Sequence, residues 1–396
     1  MSNDMLTPAP RADDEIDLER GFLPPSDPLQ RLDSRFAAWE ETAAELPKLL
    51  VSNRLRRRLA NLPLVSIEGI DTRPQQERAM LLLSYLGHAY VWGERTPPDA
   101  IPGSIAVPWY GVAQLLDRPP ILSYASYALN NWRRLDGSGP VEIGNLCLLQ
   151  NFWGGADEEW FVIIHVDIEM RAAAALRRLR PAQDAVAAGD VPGLTAHLEA
   201  IRDALQGMYS VLLRMPDLCD PYIYYRRVRP YIFGWKDHPA IPHGLVYDGV
   251  AAYGERAQHF RGETGAQSSI IPALDAVLGV RHAEDPLRAY LLEMRDYMPV
   301  DHRRFIATVE AGPGVRDLVL ADRHQRLVDA YDECVELVRG FRAKHLEYAA
   351  TYIQHQAQAS ATNPTEVGTG GTPFMSYLKK HRDETAAHAV VQPGDG

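Results

Sequence analysis

One histidine occupies an unusual position in the stretch 325–354. Apolar and aromatic residues recur there at alternating steps of four and three, the spacing of one face of an α-helix. His345 falls on this face where a leucine would be expected. Its neighbours one turn away, Phe341 and Ala349, cannot ligate a metal, which argues against a paired-histidine zinc site. Two interpretations remain: a hydrogen-bonded core histidine, or a single axial ligand of haem iron.

A second candidate is the aromatic and basic segment 222–236, YIYYRRVRPYIFGWK. Arg229 directly precedes Pro230, which predicts that its backbone leaves the helical region and presents the side chain from a bend. A guanidinium fork beside aromatic rings suits a planar carboxylate, so an aromatic amino acid is a candidate ligand. The alternative is a helix end packed on the core with solvated arginines.

Further ionisable residues stand at helical spacing. His165 lies four residues after Phe161 and four before Glu169. The pair His165 and Glu169 could simply hydrogen-bond to each other, whereas beside an aromatic substrate His165 could hold a ring N–H or transfer a proton. Asp275 lies among apolar residues and would need a cationic partner, for which Arg342 is the candidate.

These residues must be positioned by helices. The apolar spacing predicts long helices over about 75–91, 158–179 and 190–212, the last with Asp190 as N-cap, and shorter ones around 34–59, 112–116 and 123–132. Pro102 and Pro108 are expected to lie in a loop. His88, inside the helix 75–91, has no carboxylate or second histidine one turn away and is predicted to be structural. No segment alternates with period two between hairpin turns, so the chain is predicted to be all-α.

The length of 396 residues suits two domains or one large one. Prolines and charges in 1–30 predict an irregular arm on the surface or left mobile, followed by a small helical domain over 31–150 and a large one over 151–396. The sequence VGTGGT at 367–372 lacks the strand and the lysine of a phosphate loop. A mobile lid or linker near 356–372 is the prediction.

Composition narrows the possible partners. A net charge of −11 argues against nucleic-acid binding, and a small molecule is the expected ligand. The three cysteines form no CxxC pair, which favours a reducing cytoplasm over a disulfide framework. The acidic N-terminus does not have the pattern of a secretory signal, and no run is apolar enough to span a membrane.

Segments spread in order between about residues 45 and 380 resemble the indoleamine 2,3-dioxygenase family, haem enzymes that open the indole ring of tryptophan. They are LSYLGHAYVWG, IAVPWYGVAQLL, RPPILSYASYALNNW, RVRPYIFGWK, GLVYDGV, AQSSIIPALDAVLG, MRDYMPVDHRRFI, AYDECVELVRGFRAKHLEYAATYI and GTGGTPFMSYLK. The resemblance implies a smaller N-terminal domain capping a larger helical domain, with haem b between them, O2 as co-substrate and an electron donor that reduces the haem.

The resemblance also assigns roles by position. His345 falls at the proximal haem ligand and Arg229 at the arginine that binds the substrate carboxylate. The other positions are, for the indole pocket, Phe161, Tyr224 and Tyr225; for the proximal side and a haem propionate, Asp275 and Arg342; for the distal side, Thr264 toward substrate and Gly265 toward haem; and for the mobile loop that closes over the substrate, 368–372 with Thr369.

Three departures from the animal enzymes predict a more polar pocket. His165 stands where they usually carry serine, Tyr224 and Tyr225 replace two phenylalanines, and 263–265 reads Glu-Thr-Gly instead of Gly-Ser-Ala. A distal histidine is similar to the related tryptophan 2,3-dioxygenases, which place one near the indole nitrogen. His165 is therefore expected to act in catalysis.

The expected reaction is cleavage of the indole C2–C3 bond of tryptophan or a close indole to an N-formylkynurenine type of product. One alternative is insertion of a single oxygen atom into a substituted indole on the same fold. Another is a haem-binding sensor or carrier without turnover. In such a protein Arg229 and its aromatic neighbours would have no substrate to bind. The mass of the product separates the first two.

Overall fold

A computed structural model describes residues 16–356, 363–364 and 366–391. Parts of the predicted arm and of the predicted loop therefore lie outside the described residues. Within them the α-helices are α1 (Ala37–Ala44), α2 (Leu46–Val51), α3 (Leu55–Ala60), α4 (Arg73–Trp92), α5 (Gly103–Leu116), α6 (Ala156–Ala188), α7 (Val191–Leu212), α8 (Pro221–Ile223), α9 (Ile270–Leu278), α10 (Pro286–Arg295), α11 (Val300–Ala311), α12 (Val315–Asp322), α13 (Gln325–Ala349) and α14 (Phe374–Ala386).

Short π-helical turns, which are wider than an α-helix, and 3-10 turns, which are tighter, lie between or next to these helices. Three π turns span Ala125–Leu129, Tyr224–Val228 and Ala350–Gln354, and 3-10 turns span Ser34–Phe36, Met215–Asp217, Arg229–Tyr231 and Gly265–Gln267. Extended structure is limited to β1 (Ala100–Ile101) parallel to β4 (Val246–Tyr247), and β2 (Trp132–Arg134) antiparallel to β3 (Leu146–Leu148). The predicted all-α class is confirmed.

The central helix α4 is buried along nearly its whole length. Thr72 and Gln75 form a capping box at its start, and Pro74 occupies the first turn as the sequence predicts. Inside it, His88 donates from Nδ1 to the carbonyl of Tyr231 at 2.8 Å and accepts at Nε2 from the N–H of Leu122 at 3.0 Å. This confirms the structural role expected for His88.

Helices α6, α7 and α13 form the scaffold of the large helical region. Gly189, with φ +65°, ends α6, and Asp190 then caps α7 by accepting from Gly193 N at 3.0 Å, as predicted. Helix α13 packs against α7 on one side and α14 on the other. The predicted helix 325–354 is confirmed, since α13 continues directly into the π turn Ala350–Gln354.

Several predicted boundaries are wrong. Helix α6 runs to Ala188 instead of ending near residue 179 and contains Pro181. Pro108 lies inside α5 rather than in a loop, because the fully buried Trp109 and Val112 stabilise the helix more than one missing N–H weakens it. The stretch 123–132 forms a π turn followed by a strand.

The described part of the N-terminal arm is docked on the protein. Phe22 is 2% exposed and packs against His302 and Phe305, with ring centroids 4.5 and 5.6 Å away. Burial of this aromatic ring stabilises the contact, since large aromatic side chains contribute most apolar area. Among the described residues, no helix has both the length and the apolar run that crossing a bilayer requires.

Candidate active site

His345 and His165 are presented by two neighbouring parts of the helical scaffold. His345 lies one turn before the C-terminal end of α13, and His165 lies in the first third of α6. Burial, followed by the charge of His165, lowers the pKa of His345 to about 4. The two imidazoles are thus close enough to interact, and His345 is neutral near pH 7, as a metal-ligating imidazole must be.

His345 borders an internal space. Part of its side chain is accessible, yet the surrounding protein desolvates the imidazole and lowers its pKa. A residue that is both accessible and surrounded faces a cavity rather than bulk water. It makes no hydrogen bond with any described residue, and a Cβ on Gly265 would lie 3.8 Å from its Cε1. A core histidine would be hydrogen-bonded, as His88 is, so this environment favours a ligand role.

The tautomer of His165 follows from its partner. Its Nδ1 lies 2.6 Å from the carbonyl oxygen of Phe161, and a carbonyl can only accept, so Nδ1 carries the proton. Burial lowers the pKa of His165, which keeps the ring neutral. Its Nε2 therefore carries a lone pair and can accept a hydrogen bond.

The expected bond between His165 and Glu169 is not formed. Glu169 instead accepts from the hydroxyls of Tyr124 and Ser268, each at 2.9 Å, and its Oε2 is buried without a partner. Burial raises the pKa of Glu169 to about 7. The carbonyl of Phe161 already satisfies His165 Nδ1.

An aromatic cluster lines the side of α6 that carries His165. We define it as Phe161, His165, Tyr124, Tyr127 and Tyr224. The ring of Phe161 lies 4.8 Å from His165, 4.7 Å from Tyr224 and 6.2 Å from Tyr127, and Tyr124 meets His165 edge-on at 5.9 Å. The structure thus brings Phe161, His165 and Tyr224 into one contiguous cluster.

Arg229 is fully buried and lies in a helical conformation, with φ −53° and ψ −40°. The prediction that Pro230 would push its backbone out of the helical region is wrong. The π turn Tyr224–Val228 widens the chain just before the proline, and the 3-10 turn Arg229–Tyr231 places Pro230 near its start, where a missing N–H costs little.

The fork of Arg229 is engaged by three residues that follow α13 and its π turn, Asn363, Pro364 and Val367. Nη1 donates to the side-chain oxygen of Asn363 and to the carbonyl of Pro364 at 2.7 Å, and Nη2 donates to the carbonyl of Val367 at 2.6 Å. Nε has no partner among the described residues. Burial lowers the pKa of Arg229 to about 10, so the group remains charged at pH 7.

Tyr224 and Tyr225, the two adjacent tyrosines of the π turn, contact different partners. Tyr224 belongs to the aromatic cluster, whereas the hydroxyl of Tyr225 donates to the carbonyl of Asn363 at 2.9 Å. The Arg229 guanidinium lies over the rings of Tyr225 and Phe233, at 5.6 and 4.5 Å. Tyr225 thus contacts the arginine and its loop rather than Phe161.

The glycine-rich segment 368–372 packs on the site. The carbonyl of Thr369 accepts from Gly234 N at 3.3 Å, and the carbonyl of Gly370 accepts from Arg261 Nη1 at 2.6 Å. A Cβ on Gly370 would meet the Tyr290 hydroxyl at 2.5 Å and the Thr264 methyl at 3.4 Å. Gly370 of the glycine-rich segment therefore lies beside Thr264 of the segment 263–265.

Behind His345, the predicted pairing of Arg342 with Asp275 is confirmed. Arg342 Nη2 donates to Asp275 Oδ2 at 2.6 Å, and Nη1 donates to the hydroxyl of Thr385 on α14. Burial pushes the pKa of Asp275 upward, but Arg342 and His282 outweigh it, and the net pKa is lowered. This ion pair ties α13 to α9 and α14 one turn before the histidine.

Sequence reasoning missed two contributors. Asn363, which fills the fork of Arg229, has no periodic neighbours that would have marked it. Glu263 was noted only as a departure from the animal pattern, yet the residue is 4% exposed, its carboxyl has no partner among the described residues, and burial raises its pKa to about 8. A lone acidic residue between two glycine-containing turns was the available signal.

The sequence of the chain matches that of a known protein family. The family model for indoleamine 2,3-dioxygenase matches residues 11–388. The chain belongs to the indoleamine 2,3-dioxygenase family. Relatives include human indoleamine 2,3-dioxygenase 2, 34% identical over 96% of this chain and 95% of its own length, and the indoleamine 2,3-dioxygenase of Saccharomyces cerevisiae, 30% identical over 96% and 94%. A 6-hydroxytryptophan 2,3-dioxygenase of Fusarium equiseti is 30% identical over 93% and 95%.

Indoleamine 2,3-dioxygenases are haem-dependent oxidoreductases that use O2, and the residues of this chain fit that cofactor. The neutral, unpaired imidazole of His345 at the edge of an internal space has the chemistry of an axial haem ligand. Gly265 lies near His345 Cε1 and, because it has no side chain, leaves the space beside the imidazole open. The chain is thus a haem-dependent indole 2,3-dioxygenase.

Proposed function

We propose that tryptophan or a close indole derivative is the substrate, and that its C2–C3 bond is cleaved to an N-formylkynurenine type of product. The observation that supports this most is that His165 presents an acceptor nitrogen within the aromatic cluster while its charge acts on the unpaired imidazole of His345. Ferrous haem, when bound, supplies the O2 activation that this cleavage requires.

On the cofactor side, His345 would ligate the haem iron. The buried ion pair of Arg342 and Asp275 fixes α13 one turn before it, and this pair would support the haem from the side of His345. Gly265 is assigned to the haem edge because it leaves the approach to the imidazole clear. Residues 31–150, which contribute Tyr124 and Tyr127, would form the domain that caps the larger one.

On the substrate side, Arg229 would bind the carboxylate. Its charge, its burial and its position beside Tyr225 and Phe233 suit a planar anion. The carboxylate would replace oxygens of the segment 363–367 on the fork, so substrate binding and the position of this loop are coupled. Thr369 and Thr264 would close over the substrate from the loop and the distal segment.

His165 would orient the indole by accepting its ring N–H at Nε2. The bond from Nδ1–H to the Phe161 carbonyl holds the imidazole in the tautomer that this requires. Phe161 and Tyr224, 4.7 Å apart, would restrict the plane of the ring. These contacts supply orientation, which is a large part of what an enzyme contributes to such a reaction.

Aerobic turnover under 18O2 tests the proposal. Reduced, haem-loaded protein is incubated with tryptophan and a panel of substituted indoles, and product masses are recorded. Two labelled oxygen atoms in a ring-opened product are expected, and one labelled atom would instead establish insertion without cleavage.

We also infer a cytoplasmic location, supported by three cysteines without disulfide partners, and an electron donor that keeps the haem reduced.

A further inference from the structure

Arg261 is a second buried arginine that binds the glycine-rich segment 368–372. It is 7% exposed, and its Nη1 donates to the carbonyl of Gly370 at 2.6 Å and to Asp237 Oδ2 at 3.3 Å. Its guanidinium lies over the ring of Tyr290, 5.2 Å from the centroid. The hydroxyl of Tyr290 would in turn meet a Cβ on Gly370 at 2.5 Å. Both Arg261 and Tyr290 therefore lie against Gly370.

Other protein groups hold Arg261 itself in place. Its Nε lies 2.9 Å from Glu293 Oε2, and its backbone N–H donates to the hydroxyl of Tyr297 at 2.9 Å. Glu293 is also paired with Lys236, whose Nζ lies 2.5 Å from Oε1. None of these partners belongs to the residues 363–367 that bind Arg229. Displacement of those residues by a substrate would therefore leave Arg261 where it is.

The segment 368–372 forms a compact turn. The N–H of Gly371 donates to the carbonyl of Gly368, and the N–H of Gly368 donates to the carbonyl of Thr372, each at 2.8 Å. Gly371 has φ +77°, and a Cβ there would come within 2.6 Å of the carbonyl oxygen of Lys236, so the position requires glycine. Because the turn is closed by its own hydrogen bonds, a contact at one residue positions the whole turn.

Two buried arginines thus hold the two halves of the stretch 363–372. Arg229 binds residues 363–367, and Arg261 binds Gly370. In the function proposed above, the substrate carboxylate occupies Arg229 and so releases the first half. The guanidinium of Arg261 is occupied by Gly370, Asp237 and Glu293, and its contact with the second half does not compete with the carboxylate.

We propose that Arg261 is a positioning residue, which keeps the segment 368–372 in place over the site while the substrate carboxylate releases residues 363–367 from Arg229. This rests on the function proposed above. The segment in place would exclude water and hold Thr369 against the substrate. Arg261 therefore contributes to kcat more than to substrate affinity, because Arg229 alone binds the carboxylate.

The test compares the haem-loaded wild type with Arg261→Met, Arg261→Lys and Gly371→Ala. Arg261→Met removes the charge and the donors but keeps a long side chain, and Glu293 retains Lys236 as its partner. Gly371→Ala displaces the turn from the other side of the contact, because alanine is strained at φ +77° and would collide with a carbonyl. Arg256→Met is the matched control, since Arg256 is exposed and donates to carbonyls of its own turn.

Hydrogen exchange followed by mass spectrometry measures the position of the turn directly. When tryptophan saturates the ferric protein, amides of 363–367 should exchange faster, while those of 368–372 stay protected. In Arg261→Met the amides of 368–372 should exchange about tenfold faster or more, the effect of one hydrogen bond to a charged group. Arg261→Lys should lie between, and Arg256→Met should match the wild type. Exchange in α4 reports whether each variant is folded.

Kinetics test the consequence for the reaction. Arg261→Met should lower kcat for tryptophan by about tenfold and change its Kd by less than about threefold, since Arg229 is intact. The double variant with Gly371→Ala should lose no more than either single variant, because both changes displace the same turn. Additive losses, or unchanged exchange of 368–372 in Arg261→Met, would overturn the proposal while leaving the proposed function intact. A wild type that neither binds nor turns over any indole would instead reject the proposed function.

Discussion

The guanidinium of Arg229 donates a hydrogen bond from Nη1 to the side-chain oxygen of Asn363. Asn363 is anchored in turn by its Nδ2, which donates to the carbonyl of Tyr225 at 2.7 Å. The arginine proposed to bind the substrate thus also binds the loop that contains Asn363. A carboxylate and the loop compete for the same nitrogen atoms.

Replacing Asn363 by alanine removes the side-chain competitor while leaving Arg229 in place. We expect the KM for tryptophan to fall by about three- to tenfold, because a hydrogen bond to a charged group is worth roughly 1.5–3 kcal/mol and part of it would be regained from the substrate. Steady-state kinetics measure this, with the exposed Asn61→Ala as control. An increase in KM would mean that Asn363 supports the bound state instead.

Arg229→Ala is expected to raise the KM for tryptophan by about tenfold or more, since a buried charged hydrogen bond is lost. Tryptamine, which lacks the carboxylate, provides the internal comparison, and its KM should change little. Arg227→Ala, an exposed arginine of the same segment, serves as the matched control. Equal effects on both substrates would show that Arg229 acts on the fold rather than on the carboxylate.

His345→Ala is expected to abolish haem retention, because α13 carries no second histidine that could take over as the ligand. Absorption spectra and haem content after gel filtration measure the outcome. His165→Ala is the matched control and should retain haem with an unchanged proximal ligand. A His345→Ala protein that keeps a histidine-ligated spectrum would refute the axial assignment.

The proposed hydrogen bond from the indole N–H to His165 Nε2 can be isolated with 1-methyltryptophan, which lacks that proton. The wild type should favour tryptophan in kcat/KM, and His165→Ala should lose most of this preference, on the order of tenfold. The informative quantity is the ratio between the two substrates, since it cancels general losses of activity. An unchanged ratio in the variant would exclude His165 from recognition of the ring nitrogen.

His88 predicts a pH dependence of stability. Burial lowers its folded pKa to about 3, below the ordinary value of 6.5, so the unfolded chain binds the extra proton first as the pH falls. The stabilisation is complete above pH 6.5 and is lost on acidification, by about 2 kcal/mol between pH 7 and pH 5. His88→Gln can donate to Tyr231 and accept from Leu122 without titrating. Urea unfolding at both pH values should therefore show a smaller loss for the variant.

Helical periodicity was sufficient to predict the element that carries His345, because α13 buries one regular face over many turns. It also placed Asp190 at the cap of α7. It could not predict the course of the chain around Arg229, since the rule for residues before proline is local and the π turn that overrides it is set by packing.

Contacts between distant segments were the least predictable part of the site. Asp275 and Arg342 could be paired because a buried acid requires a cation, and Arg342 was the candidate that the sequence suggested. Asn363 and Glu263 follow no such rule: one acts through tertiary contacts to Arg229, and the other is notable for having no partner at all. Tertiary contacts of this kind, and the lack of them, are visible only in the folded structure.

The π turns described above make the site sensitive to the length of the chain. Each holds one residue more than an α-helical turn would need, and the turn Tyr224–Val228 lies immediately before Arg229. Deleting a single residue there would let the segment tighten into an ordinary helix and rotate every later side chain by about 100° around the axis. The direction in which Arg229 points is thus encoded by an inserted residue, and natural gain or loss of that residue offers a one-step route to a different ligand.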